Sequence, residues 1–265
     1  MRVAMALLRR DWEIERTYHL KMLLSLIQTA GFAFALYFVS KLVENPEALA
    51  EYDGTYFDFV MVGLAVNSFA AVGLQSFSGS LIREQNTGTI ELLLASPARP
   101  GTLMGGMFLF PLILGVIQVV ALLGVGMGLV GSGMSAGGLL LAIPVMALTT
   151  ATFAAVGIAA AGVLILAKRG DPITGPFSLL SMLFSGAIFP LDVLPGWIQP
   201  LGILVPAAWG VRATRELLLM DAGWRAVVPE VAALTVFTIV FVAIGLWVLR
   251  RCLGIGRREA LLGSY

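Results

Sequence analysis

The sequence predicts an all-α integral membrane protein with six transmembrane helices. Composition is the first observation behind this. Hydrophobic residues make up 58% of the 265 residues and charged residues only 12%, against about 45–50% and about 25% in soluble domains. With a mean hydropathy of +0.93, a soluble fold would have too little polar surface to cover its core. The second observation is length: the apolar residues form charge-poor stretches of the roughly 20 residues a helix needs to cross the hydrocarbon layer. The third is the placement of Lys and Arg, which gather between those stretches with an asymmetry that assigns sides.

Residues 1–21 read as an amphipathic interface helix. At helical periodicity Arg2, Arg9, Glu13 and Arg16 share one face, while Met5, Leu7, Leu8, Trp12, Ile14 and Tyr18 lie mostly on the other, with Asp11 and Glu15 intruding. Such a helix lies at the cytoplasmic interface with Trp12 and Tyr18 at headgroup level. It serves equally as a topology anchor or as a partner contact. It has no apolar core of the signal-peptide kind, so the first span is expected to act as the membrane signal.

The six spans are expected at 22–43, 56–81, 102–130, 137–166, 173–189 and 229–249. A Lys, Arg or Asp at the centre of any of them would cost about 2.5–3.5 kcal/mol on insertion scales. The third and fourth are rich in small residues, and Gly124 with Gly128 forms a GxxxG pair. That pair is a helix-packing signal and identifies no ligand.

The loop at 82–101 reads IREQNTGTIELLLASPARPG. Gly88 interrupts helix, Thr89 can cap a new one, and Glu91 sits in its first turn, where the helix dipole favours an acid. Ser96-Pro97 stops it, since the residue before proline avoids α geometry. The product is a short helix outside the membrane, although the same residues suit an ordinary loop.

Residues 193–211 carry no charge and compete as a seventh span, but Pro195, Pro200 and Pro206 interrupt them. Each proline removes a backbone donor, and irregular backbone at membrane depth needs protein or a water-filled cavity around it. Residues 190–228 are therefore read as an outer re-entrant segment of short helices, with Trp197 and Trp209 as interface anchors. Its role is either a lid over an exit path or a structured outer loop. Asp192, Arg212, Arg215 and Glu216 either pair with one another or sit in water.

Charge supports six spans over seven. With both termini inside, thirteen of the seventeen Lys and Arg residues fall on the cytoplasmic side, leaving Lys41, Arg212, Arg215 and Arg225 outside. A seventh span would place the basic tail, Arg250 to Arg258, outside, against the positive-inside rule. The whole chain, 1–265, then forms one transmembrane domain. A net charge of +1 gives no reason to expect nucleic acid.

No catalytic, metal or cofactor site is expected. Single Cys252 and single His19 exclude an internal disulfide, a cysteine cage and a histidine cluster. The GxGxxG match at 126–131 lies in a span, without the strand and helix N-terminus that dinucleotide binding needs. The GxSxG match at 133–137 is predicted outside, away from His19, Lys21 and Lys168, and reads as a glycine-rich hairpin. No P-loop motif occurs. Ionisable residues are scarce at membrane depth, which disfavours an ion-coupled carrier.

Two stretches resemble the membrane subunits of type-2 ABC exporters of bacteria and archaea. One is Glu84, Gly88-Thr89, Glu91-Leu92 and Ser96-Pro97, similar to that family's E…GT.E.L…SP loop. The other is Ser185-Gly186, Phe189-Pro190, Leu194-Pro195, Trp197, Pro206, Trp209 and Arg215, similar to its SG..FP…LP…..P..Y…..R stretch, with tryptophan at 209 where tyrosine is common. The resemblance extends over essentially the whole chain. It implies that Glu84, Gly88, Thr89, Glu91, Leu92, Ser96 and Pro97 form a coupling loop docking on a separate ABC ATPase subunit, which holds ATP and Mg. It implies a second copy of the chain, and a pathway between the copies for a hydrophobic or amphipathic cargo: a drug, antibiotic, lipid or lipid-linked glycan. Phe189, Pro190, Pro195, Trp197, Pro206, Trp209 and Arg215 would form the outer gate. The location is the inner (cytoplasmic) membrane, with both termini cytoplasmic. From the residues alone, an ATP-independent secondary carrier or an intramembrane enzyme stays open as the alternative.

Overall fold

The computed structural model describes residues 19–42, 55–86, 100–130, 134–167 and 171–258. They form helices α1 (His19–Leu42), α2 (Tyr56–Asn86), α3 (Pro100–Val130), α4 (Ala136–Ala167), α5 (Thr174–Phe184), α6 (Pro200–Ile203), α7 (Pro206–Leu219) and α8 (Val228–Arg258), with a 3-10 turn at Leu191–Val193. No strand occurs among the described residues. The interface helix expected at 1–21 falls outside them except for its last residues, which belong to α1.

Four helices carry apolar windows long enough to cross a membrane: Tyr56–Ser80, Pro111–Gly128, Gly137–Leu164 and Val228–Cys252. The helices themselves are longer, with 31, 31, 32 and 31 residues. At 1.5 Å per residue each runs about 46–48 Å, well beyond a hydrocarbon layer of about 30 Å. α1, at 24 residues, overlaps the first expected span but is not one of these four. The fifth does not match: α5 has only 11 residues, about 16 Å of helix, and stops half-way.

Directions follow from close contacts. Gly73 of α2 lies against Thr150 of α4, and Gly157 of α4 against Leu74, so these helices run parallel. Gly245 of α8 meets Ala155, and Gly162 meets Leu249, so α8 is parallel to both. α3 runs the other way, with Gly115 beside Phe69 and Val72 and Gly126 beside Phe57 and Met61. The end of α1 meets the start of α2, where the Tyr37 and Phe57 rings sit edge to face at 5.9 Å. The bundle therefore has a Tyr56 end and an Asn86 end, and α1 begins at the end where α8 finishes.

α2 is the hub. Its apolar window is 78% buried inside the chain, against 11% for that of α8. Glycine at the crossing points removes the side chain that would hold two backbones apart. Threonines then bond across: Thr150 Oγ1, which donates to Met146 O of its own helix (2.8 Å), also reaches Phe69 O of α2 (3.3 Å), and the Thr152 and Thr238 hydroxyls lie 2.6 Å apart. The GxxxG pair is not used in this core. A Cβ on Gly124 or Gly128 would meet no atom of the described residues, whereas Gly126 between them packs on Met61, Met134 and Phe57.

Candidate functional site: a strapped break between two short helices

α5 starts at the Asn86 end, where Asp171 caps it. The carboxylate accepts from Ile173 N–H (3.2 Å), Thr174 N–H (3.0 Å) and Thr174 Oγ1 (2.6 Å). Burial alone would raise the Asp171 pKa. The bonds from Thr174, Ile173 and the Ser78 hydroxyl of α2 outweigh it and hold the carboxyl below its usual range.

From there α5 climbs along α2. The Phe177 ring packs against Phe153 at 5.3 Å, beside Ala70 and Leu74. At the top, Ser185 Oγ accepts from Asn67 Nδ2 (3.0 Å) and donates to Met182 O (3.2 Å). Gly186 follows with φ +70°, the left-handed conformation that ends helices and that glycine adopts without penalty. The chain then crosses α2 so closely that a Cβ on Gly63 would strike the Ala187 backbone. Ser185-Gly186 is thus a helix stop locked to Asn67.

The prolines next in line start helices. Pro200 and Pro206 occupy the first turns of α6 and α7, where the missing N–H is not needed and the fixed φ suits the helix. Val205 and Ala207 sit in the cluster that also holds Phe177, Phe153, Ala70 and Leu74, so the chain has descended again before α7 begins. α7 then climbs along α4 to the Tyr56 end, with Gly210 on Thr149, Leu217 on Gly138, and Leu218 O accepting from Ser135 N–H at 2.9 Å. α5 lies along the Asn86 half of the bundle and α7 along the Tyr56 half, and residues 185–205 are looped out between them. The helix over Thr174–Phe184 is shorter than the span expected at 173–189, and within the re-entrant segment expected at 190–228 ten of α7's 14 residues are buried.

Arg215 closes the break. It is 3% exposed. Its Nε and Nη2 donate to Phe59 O (3.2 and 2.9 Å) and Nη2 also to Ala187 O (3.0 Å). The guanidinium carbon lies 3.3 Å from the Phe59 ring centroid, a cation–π stack. One side chain of α7 thereby ties the start of α2 to the end of the α5 turn. It is not an outer charge in water. Arg212 makes the ion pair with Glu216, Nε to Oε1 at 3.9 Å.

The other expected gate residues have mixed settings. Pro206 is buried; Phe189 and Pro190 are half-buried; Pro195 is exposed, and its carbonyl accepts from Ile198 N–H at 2.8 Å. Trp209 Nε1 donates to Ile203 O (2.9 Å), pinning α6 to α7. Trp197 is 80% exposed. Between α7 and the looped segment lies a cavity of about 190 Å³, bordered by Ser185, Pro190, Asp192, Trp209, Arg212 and Arg215. On the coupling side, Glu84 falls in the last turn of α2, while Gly88, Thr89, Glu91, Leu92, Ser96 and Pro97 lie outside the described residues. Asn67 and Phe59 carried no signal in the sequence, because their role is to receive groups more than a hundred residues away. Ser135 of the GxSxG match is a helix cap, its Oγ accepting from Gly138 N–H at 3.2 Å.

A family model of the ABC-2 type transporter matches residues 2–219. The chain belongs to that family. The match ends at Leu219, the last residue of α7, so it takes in the α5–α7 break of this ABC-2 permease and leaves α8 beyond it. A search of curated proteins returns no match. Family membership and the long apolar helices make this ABC-2 permease a multi-pass membrane component of an ABC transporter system.

Proposed function

We propose that this permease is the membrane subunit of an ATP-driven exporter, paired with a second copy of itself and with two ATPase subunits. The family match over residues 2–219 carries this reading. In it the chain makes six passes, counting α1 and the composite α5–α7 crossing. The Asn86 end is cytoplasmic, a reading supported by Arg83, Arg250 and Arg251 falling toward that end of α2 and α8, as the positive-inside rule favours. The coupling loop, with Glu84, Gly88, Thr89, Glu91, Leu92, Ser96 and Pro97, hangs from the end of α2 and docks on the ATPase. The cargo is hydrophobic or amphipathic and passes between the two copies. The looped segment around Phe189, Pro190, Pro195 and Trp197, hinged at Pro206, Trp209 and Arg215, gates the outer side. ATP and Mg stay on the partner, and the permease makes and breaks no bonds.

Glu91→Lys tests the coupling. It reverses the charge at one residue of the proposed coupling loop, so the permease should insert normally but no longer stimulate the ATPase. The measurement is ATP hydrolysis by the reconstituted complex, with and without the permease. Full stimulation by the mutant removes Glu91 from the contact. Failure of the wild-type permease to co-purify with any P-loop ATPase from its native membrane overturns the reading.

A further inference from the structure

We propose that the cavity between α7 and the looped 185–205 segment seats the headgroup of a bilayer phospholipid bearing a primary amine, of the phosphatidylethanolamine type. The proposal needs only the membrane setting and is independent of ATP coupling.

Opposite charges face the same space without meeting. Arg212 and Asp192 both border the cavity, and among the described residues no ion pair joins them. Arg212 is 55% exposed and its ion pair to Glu216 is long, at 3.9 Å. Asp192 is exposed, and its contact with Gln199 is made through its backbone carbonyl. A guest with a negative and a positive group a few ångströms apart satisfies both walls. Guanidinium is the side chain best shaped for phosphate oxygens, and a carboxylate accepts from a primary ammonium.

Size and position select a headgroup over a whole cargo molecule. The cavity holds about 190 Å³, below the roughly 300–1,000 Å³ of pockets that enclose drug-sized ligands. Its side chains sit near Phe59, one helical turn from the Tyr56 end of α2, where the headgroup layer begins if the bundle spans the bilayer. Ile203 borders the cavity and is exposed, and Val193, Trp197, Leu201 and Leu204 of the same looped segment are exposed as well. That apolar surface suits acyl chains, and Trp197 belongs at the headgroup boundary. A lipid seated here would fill the gap left by the broken crossing and brace the looped segment.

The experiment is native mass spectrometry of the full-length permease in detergent, titrated with short-chain phosphatidylethanolamine, phosphatidylglycerol, phosphatidylcholine or soluble phosphoethanolamine, with thermal melting in parallel. Phosphatidylethanolamine should bind most tightly and raise the melting temperature. Arg212→Gln should weaken it about tenfold or more, the loss of one charge-assisted contact. Asp192→Asn should erase its preference over phosphatidylglycerol and phosphatidylcholine. Three results would overturn the proposal: equal binding of all three lipids to the wild type, unchanged preference in both variants, or soluble phosphoethanolamine matching the lipid, which would mark a free-phosphate site. Arg212 and Asp192 are both exposed, so both variants should fold, and the mass measurement reads selectivity even where melting shifts.

Discussion

The guanidinium of Arg215 reaches Phe59 O and Ala187 O while lying flat on the Phe59 ring. A charge this deeply enclosed is retained only where acceptors surround it, because isolation from water costs more than any single contact returns. Arg215→Ala removes the donors and leaves two carbonyls short of a partner, at about 1–3 kcal/mol each. The variant should melt well below the wild type in detergent. Arg215→Lys should fall between them, since an ammonium cannot reproduce the planar fork. Asp171 acts on the same scale at the opposite end. Its folded pKa is depressed, so its stabilisation is complete above the ordinary carboxylate range and is lost as pH falls through the lower folded value. Asp171→Asn should therefore melt below the wild type at pH 7, and the gap should close only below about pH 4. Both residues stand out in the sequence as charges beside apolar runs. What they bond to does not, and Arg215 was placed among charges outside the spans for that reason.

Elements were legible where hydrophobicity alone decides them. The runs that became α2, α3, α4 and α8 are long, apolar and bounded by charge, and partition into lipid is set residue by residue. The α5–α7 pair was not legible in this way. α5 is short, and α7 contains Arg212, Arg215 and Glu216, which look like an aqueous segment until the fold buries Arg215 among α2 and the Ala187 turn. The prolines misled in part: three in a row suggested broken helix, whereas two of them initiate helices. Pro206→Ala should therefore change stability little, within about 1 kcal/mol. Gly63→Leu should do much more, because its side chain would push the Ala187 turn off α2. Hydrogen exchange across 185–205 should rise sharply in Gly63→Leu and stay near wild type in Pro206→Ala.

For the molecule as a whole, the directions of the helices put the basic ends of α2 and α8 on one side and the Tyr56 end on the other. The chain has a single cysteine, Cys252, and it is buried, so a Cys252→Ser background is expected to tolerate labelling experiments. In that background a cysteine at Trp197 should react with a membrane-impermeant maleimide in intact cells. One at Glu91 should react only after the membrane is opened. Labelling of both in intact cells would contradict the proposed orientation. The sequence by itself determined that the chain lives in the membrane, where its long apolar helices lie and which loops carry basic charge, because these follow from local transfer free energies. Only the tertiary structure decided which helix is the hub, how α5 and α7 are separated and which side chain ties them. Those depend on contacts such as Arg215 with Phe59, 156 residues apart, and no local pattern encodes a pairing over that distance.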